Sequence, residues 1–111
     1  MMTVSDLLAK LGGKLVCEGD RERRVDGCYI SDLLSDVLAS SNQDQVWLTH
    51  HTHANIVAVA AVKDLSAIVI VDGRKLDEDA ASRAKAEKVN VISTELSTFE
   101  AAGLIFTAMK G

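Results

Sequence analysis

The chain has 111 residues, of which 48% are hydrophobic, 25% charged and 4% aromatic, and its formal net charge is −4. This size and composition predict one folded domain, residues 1–111, with an aliphatic core. The acidic balance excludes nucleic acid and anionic membranes as principal partners, because both require a basic surface. No apolar run approaches the roughly 20 residues that cross a bilayer, and no secretory signal opens the chain, so we expect a cytoplasmic location.

The spacing of the apolar residues predicts five helices and five strands. In chain order they are helix 3–11, strand 14–18, strand 25–30, helix 31–40, strand 45–49, helix 52–63, strand 67–71, helix 77–88, strand 90–93 and helix 97–110. Thr3 is the predicted cap of the first helix and Ser31 that of the second, while Ser97 and Glu100 fit a capping box at the last. From residue 31 onward helices and strands alternate, which predicts an α/β fold with a small, mostly parallel sheet flanked by helices.

The charged loop 19–24 joins the first two strands and predicts an N-terminal β-hairpin. Cys17 and Cys28 lie on these two strands, so the hairpin would bring them close together as small, reduced core residues. The three arginines of the loop are interpreted as part of a solvated tip, because two acidic residues alternate with them.

All three histidines lie in the stretch His50-His51-Thr52-His53, directly after strand 45–49. The carboxyl end of a parallel strand is where open α/β sheets bind ligands, and a helix N-terminus, with Thr52 as its predicted cap, offers N–H groups to an anion. Three interpretations stay open. They are a solvated polar turn, a site for a small anion or nucleotide that uses Thr49, Thr52 or His53, and a metal site formed by imidazoles.

A ligand site at this edge would take its side chains from the ends of three strands. The candidate ligand-binding residues are Ser31, Asp32, Thr49, Thr52, His53, Asn55, Asp72 and Gly73. The sequence contains no glycine-rich phosphate loop and no nucleophile motif. Asp32 and Asp36 are interpreted as charges on a capped helix rather than as a catalytic pair. We therefore predict no catalytic residue, no metal ligand and no cofactor.

Several segments, in order and spacing, resemble the DRTGG domain, closest to its small stand-alone members. The matching segments are residues 27–37, 46–49, 53–60 and 97–100, and the resemblance extends over about residues 5–109. It implies an α/β fold similar to the N-terminal domain of HPr kinase/phosphorylase and to the N-terminal domains of Mur ligases. Where the family often has Asp-Arg-Thr, this chain has Thr52-His53-Ala54, and where it has a glycine pair, this chain has Asp72-Gly73.

The resemblance also implies a role, because DRTGG domains accompany CBS domains in pyrophosphatases and phosphotransacetylase domains as regulatory or dimer-forming modules. We therefore expect a non-catalytic regulatory or scaffold module, a homodimer whose interface includes Phe99 and Phe106 of the last helix. The alternative is a sensor that binds a nucleotide or a metal at the His50–His53 turn, with an adenine nucleotide or another small anion as the first ligand. A metal-dependent enzyme ranks third. A protein partner is also compatible with the sequence, whereas nucleic acid and membrane are not expected.

Overall fold

A computed structural model describes residues 1–110 and contains five helices and seven strands. In chain order they are β1 Met2–Thr3, α1 Val4–Leu11, β2 Lys14–Cys17, β3 Arg24–Val25, β4 Gly27–Ile30, α2 Leu34–Ser40, β5 Gln45–Thr49, α3 Asn55–Lys63, β6 Ala67–Ile70, α4 Glu78–Glu87, β7 Val91–Ser93 and α5 Thr98–Lys110. The predicted order of the main elements is confirmed. No helix within the described range is long and apolar enough to cross a membrane.

Five strands form the main sheet in the order β2-β7-β6-β5-β4, and β1 pairs separately with β3. Strands β4, β5, β6 and β7 are parallel, and β2 is antiparallel to β7. The carboxyl ends of the four parallel strands therefore meet along one edge, which we call the carboxyl edge. The α/β fold with a mostly parallel sheet is as predicted. The parallel strands follow one another without reversal, so the carboxyl edge between β4 and β7 contains no topological switch point.

Both faces of the sheet are covered by helices. Helices α2, α3 and α4 pack on one face with Trp47, Ile68 and Ile70, whereas α1 and α5 pack on the other with Leu48 and Val69. Successive residues of a strand point to opposite faces, so a strand covered on both sides must be apolar throughout. This explains the unbroken apolar sequence of β6, in which all four residues are buried.

The predicted N-terminal hairpin is wrong. β2 pairs with β7 and β4 pairs with β5, which places them at opposite edges of the sheet. Residues 19–24 instead lead into β3, which pairs with β1 and buries Val25 against α1. Cys17 and Cys28 consequently belong to cores on different faces, and both are free thiols in the described structure. Burial raises the pKa of Cys28 to about 12.

The arginine loop is also more structured than a solvated tip. The Arg23 side chain is 25% exposed and pairs with Asp44 at 2.9 Å and with Asp64 at 2.8 Å. Burial acts to lower the pKa of this guanidinium, but the hydrogen bonds to the two carboxylates outweigh it and raise the pKa. Asp44 precedes β5 and Asp64 precedes β6, so Arg23 ties together the loops at the amino ends of these strands.

The helix starts divide into two kinds. Thr3 with Asp6 and Ser97 with Glu100 form reciprocal capping hydrogen bonds, as predicted. The predicted caps Ser31 and Thr52 are wrong. Helix α2 begins at Leu34 and α3 at Asn55, and neither has a side-chain cap among the described residues. Residues 31–33 and 50–54 therefore form loops over the carboxyl edge, where their side chains can contact one another.

Candidate functional site

Three side chains that follow three neighbouring strands form one bonded cluster at the carboxyl edge. Asp32 follows β4, His50 follows β5 and Asp72 follows β6. The His50 ring lies between the two carboxylates, with Nδ1 at 3.0 Å from Oδ2 of Asp32 and Nε2 at 2.7 Å from Oδ2 of Asp72. All three side chains are partly exposed, at 53%, 34% and 45% for Asp32, His50 and Asp72. We call these residues the Asp-His-Asp cluster.

Asp32 is held by the end of β5. Its Oδ1 accepts hydrogen bonds from the Thr49 hydroxyl and from the His50 backbone N–H, both at 2.8 Å. Partial burial acts to raise the pKa of Asp32, but the hydrogen bonds from Thr49 and His50 outweigh it, so the pKa lies below its ordinary value. Thr49 is only 2% exposed, and its Oγ1 also accepts from the His51 N–H at 3.1 Å. A buried strand end thus positions the carboxylate.

The charge of the cluster follows from the chemistry of imidazole. A neutral ring has one N–H and one lone pair, so only the doubly protonated ring donates to Asp32 and Asp72 at once. With two carboxylates and one ring, the cluster is negative in either state of the ring. A bare anion therefore fits it poorly, whereas hydroxyl, amino or other donor groups of a ligand fit it well.

The other two histidines do not join this cluster. The Nε2 atom of His51 faces the backbone carbonyl of Asp32, and Nδ1 of His53 lies 2.9 Å from Oδ2 of Asp77. The rings of His51 and His53 are 6.4 Å apart at their centroids. Among residues 1–110, no group of three His, Cys, Asp or Glu side chains is arranged to hold a metal ion. The three imidazoles therefore have separate partners and do not converge on one point.

The loop after β6 is fixed against the loop after β7. Asp72 and Gly73 both have left-handed backbone conformations, with φ of 60° and 65°. Their N–H groups donate to the carbonyls of Leu96 and Thr94 at 2.8 and 2.9 Å. A Cβ at residue 73 would collide with the Glu95 carboxylate. The left-handed φ of Gly73 favours glycine at this position, whereas the Glu95 carboxylate is the end of a flexible side chain and could move aside.

The eight residues predicted as ligand-binding do not form one site. The structure brings together Asp32, Thr49 and Asp72. Three others lie beside them in the same loops, and two point elsewhere. Of the three in the same loops, the Ser31 carbonyl accepts a hydrogen bond from the Trp47 indole at 2.8 Å, the Thr52 carbonyl accepts one from the Asp77 N–H at 3.1 Å, and Gly73 shapes the loop after β6. Of the other two, His53 pairs with Asp77, and Asn55 is exposed as the first residue of α3.

The predicted ligand-binding residues did not include His50, Arg74 and Glu95, although the alternative sensor site included the His50–His53 turn. An open pocket of about 440 Å³ beside the cluster is lined by Asp32, His50, His51 and Arg74. A usable signal was present, since His50 and Glu95 are charged or polar residues within two positions of the carboxyl ends of β5 and β7. Applying the strand-end rule to every parallel strand would have found them.

The sequence pattern of the DRTGG domain matches residues 6–108, which is nearly the whole chain. The chain belongs to the DRTGG domain family. This confirms the resemblance seen in the sequence. No curated protein matches the chain.

A solved structure shares the fold of this DRTGG domain. It contains the CBS and DRTGG domains of the regulatory region of Clostridium perfringens pyrophosphatase, complexed with its activator, diadenosine tetraphosphate. The two superpose with a TM-score of 0.77 at 15% sequence identity, over 93% of this chain and 45% of that one. The DRTGG domain thus spans less than half of its structural neighbour. At this identity the similarity establishes the fold, and in the neighbour that fold is part of a regulatory region.

The segments that the sequence set against the name-giving residues of the family follow two strands at the carboxyl edge of this DRTGG domain. Thr52-His53-Ala54 stands in the loop after β5, and Asp72-Gly73 in the loop after β6. Within these segments His53 pairs with Asp77, and Asp72 pairs with His50.

Proposed function

We propose that this protein is a non-catalytic, cytoplasmic regulatory module of one domain, residues 1–111, that binds a small ligand at its carboxyl edge. The Asp-His-Asp cluster carries the proposal. Its three side chains follow three adjacent strands and are joined by hydrogen bonds beside an open pocket. A ligand that displaces one of these three side chains, or hydrogen-bonds to it, alters the contacts of the loops after β4, β5 and β6. Such coupling suits a module that reports ligand binding to a partner.

An adenine nucleotide is the ligand class that we propose first. The cluster is negative, so it favours the hydroxyl and amino groups of a nucleoside over a bare anion. The structural neighbour, a regulatory region, was complexed with diadenosine tetraphosphate, which supports this choice by analogy. For the alternative, a sensor at the His50–His53 turn, the candidate ligand-binding residue is accordingly His50, because His53 is 69% exposed and pairs with Asp77.

Thermal-shift measurements and titration calorimetry with adenosine, ATP and diadenosine tetraphosphate test this proposal. A ligand at 100 times its Kd should stabilise the fold by about 2.7 kcal/mol, which is a shift of several degrees in a domain of this size. His50→Gln should weaken binding, because it removes the ring that joins both carboxylates. His53→Gln, the matched control, should leave it unchanged. If none of the ligands binds, or if His50→Gln binds them as well as the wild type does, the proposal fails.

We also propose that the protein is a homodimer formed through α5, with a protein target as its further partner. Phe99 is 88% exposed and Phe106 is 64% exposed, which is unusual for large aromatic side chains on one helix. Phe106 also lines an apolar groove of about 440 Å³ with Ile30 and Met109, next to the edge strand β4. A second copy would cover this surface.

Sedimentation velocity over 5 to about 500 micromolar tests the dimer, a range in which weak dimers with micromolar Kd assemble. We expect association for the wild type and a shift to monomer for Phe106→Glu, because a carboxylate cannot be buried unpaired in an apolar interface. Val62→Glu, at a residue of α3 that is 74% exposed, is the matched control and should still associate. A wild type that stays monomeric throughout the range contradicts the proposal.

A further inference from the structure

A second pocket lies at the carboxyl edge, on the side of the loop after β6 that faces β2. Its volume is about 560 Å³. Its floor is apolar and is formed by Val16, Leu76 and Ala81, whereas Lys14, Arg74 and Lys75 stand at its rim. Lys14 begins β2 and pairs with Ser93 at the end of β7, so this rim belongs to the same edge as the Asp-His-Asp cluster. We call it the basic pocket.

Arg74 differs from the other arginines because it has no carboxylate partner within residues 1–110. The other four arginines of the chain each pair with a carboxylate; these are Arg21, Arg23, Arg24 and Arg83. Within residues 1–110, no carboxylate oxygen lies within 4.0 Å of Arg74, Lys14 or Lys75. Arg74 is thus the one arginine without such a pair among the described residues, and it stands beside Lys14 and Lys75 around one cavity, which favours an external anion there. The planar guanidinium of arginine suits phosphate, which it binds through two parallel hydrogen bonds.

The charge balance separates this pocket from the neighbouring cluster. Glu78 and Glu95 also line the basic pocket, so its three cations leave a net charge of +1. The cluster next to it is negative, and Arg74 lines both pockets. A ligand with phosphates at one end and hydroxyl or amino groups at the other would therefore match the two halves of the carboxyl edge.

Two glycines, Gly13 and Gly73, also line the basic pocket. A Cβ at Gly13 would collide with the carbonyl oxygen of Ser93, and one at Gly73 would collide with the carboxylate of Glu95. Because Gly13 lacks a side chain, the start of β2 approaches the backbone of β7 closely, whereas Gly73 suits the left-handed conformation of the loop after β6. The three basic residues thus stand around a defined cavity rather than on an open surface.

We propose that the basic pocket binds the phosphate groups of a polyphosphorylated small molecule, such as the phosphates of a nucleotide. This inference rests on the proposed function only for the nucleoside part of such a ligand. The Asp-His-Asp cluster would hold that nucleoside. Phosphate binding by Lys14, Arg74 and Lys75 stands on the geometry of the basic pocket alone. Inorganic tripolyphosphate and ATP share the phosphate chemistry and differ in the nucleoside, so the pair separates the two contributions.

Titration calorimetry of tripolyphosphate and ATP tests the proposal on the double variant Lys14→Glu/Lys75→Glu and on Arg74→Gln. We expect the double variant to weaken both ligands by about tenfold or more, because it removes two cations and adds two carboxylates. Arg74→Gln should weaken both ligands as well, without reversing any charge. Lys63→Glu/Lys88→Glu carries the same change in net charge at the opposite edge of the sheet, where α3 and α4 end, and its affinity should stay close to that of the wild type. Circular dichroism confirms that each variant is folded.

Three outcomes would overturn the inference. They are the absence of any heat of binding with tripolyphosphate, equal weakening of binding by the two double variants, and wild-type affinity in Arg74→Gln. The failure of the proposed function is distinguishable from these. Loss of adenosine binding in His50→Gln supports a ligand site at the Asp-His-Asp cluster, whether or not the basic pocket binds phosphate. Tripolyphosphate binding that is lost only in the basic-pocket variants supports the inference even if adenosine does not bind.

Discussion

Ile68→Ala should destabilise the fold by about 2–5 kcal/mol, the range seen when a large aliphatic side chain is truncated in a well-packed core. Ile68 lies in β6, the central strand of the sheet, and is fully buried against the layer of α2, α3 and α4. The truncation removes apolar contacts and leaves a cavity that a strand hydrogen-bonded on both sides cannot close. Urea unfolding measures the effect through the fluorescence of Trp47, the one tryptophan of the chain, which is fully buried.

Val62→Ala is the matched control for this prediction. Val62 lies in α3 on the same side of the sheet, but it is 74% exposed. Its truncation should change the free energy of unfolding by less than about 0.5 kcal/mol, because little apolar area leaves or enters water. Equal destabilisation by the two substitutions would contradict the placement of β6 at the centre of a sheet covered on both faces.

Asp32→Ala should destabilise the protein by about 1–2 kcal/mol, because the buried hydroxyl of Thr49 and the N–H of His50 lose their shared acceptor. Asp32→Asn keeps an oxygen in the same place and removes the charge, so its cost should be smaller. Chemical unfolding of both variants and of the wild type at pH 7 measures these differences. Glu22→Gln, a substitution at an exposed loop residue, is the control. If Asp32→Ala lowers the free energy of unfolding no more than this control does, the cluster adds no stability.

The pH dependence gives a second measurement on Asp32. Hydrogen bonds hold the pKa of its carboxyl below the ordinary value of 3.8, so the ionised form stabilises the fold. This contribution is present above the unfolded-state pKa and is lost as the pH falls through the folded-state pKa. The difference in unfolding free energy between the wild type and Asp32→Asn should therefore be larger at pH 7 than at pH 3. A difference that is constant across this range would contradict the hydrogen-bonded carboxylate.

The elements that the sequence predicted well have signals within a few residues of themselves. The helix caps at Thr3 and Ser97 and the unbroken apolar run of β6 depend on local hydrogen bonds or burial. The alternation after residue 31 also predicted the parallel sheet, because parallel strands need crossovers of this kind. The family resemblance gave the same fold independently.

The errors have a common cause, which is competition between local and distant partners. Residues 14–18 and 25–30 are neighbours in sequence, but β2 pairs with β7, an antiparallel strand distant in sequence, and β4 pairs with the parallel strand β5. Asp32 looked like part of a helix, yet its carboxylate bonds to Thr49 and His50 from the next strand end. Nothing within a few residues of these positions distinguishes the two choices.

The sequence by itself determined the class of this protein, the order of its main elements, its family and the region of its polar strand ends. Those properties follow from composition, apolar spacing and helix caps, which act over short distances along the chain. Only the tertiary structure decided that His50 joins Asp32 to Asp72, that His53 does not, and that Lys14 stands beside Arg74 and Lys75. These contacts join residues 18 to about 60 positions apart, and only the packing of the strands brings them to one edge.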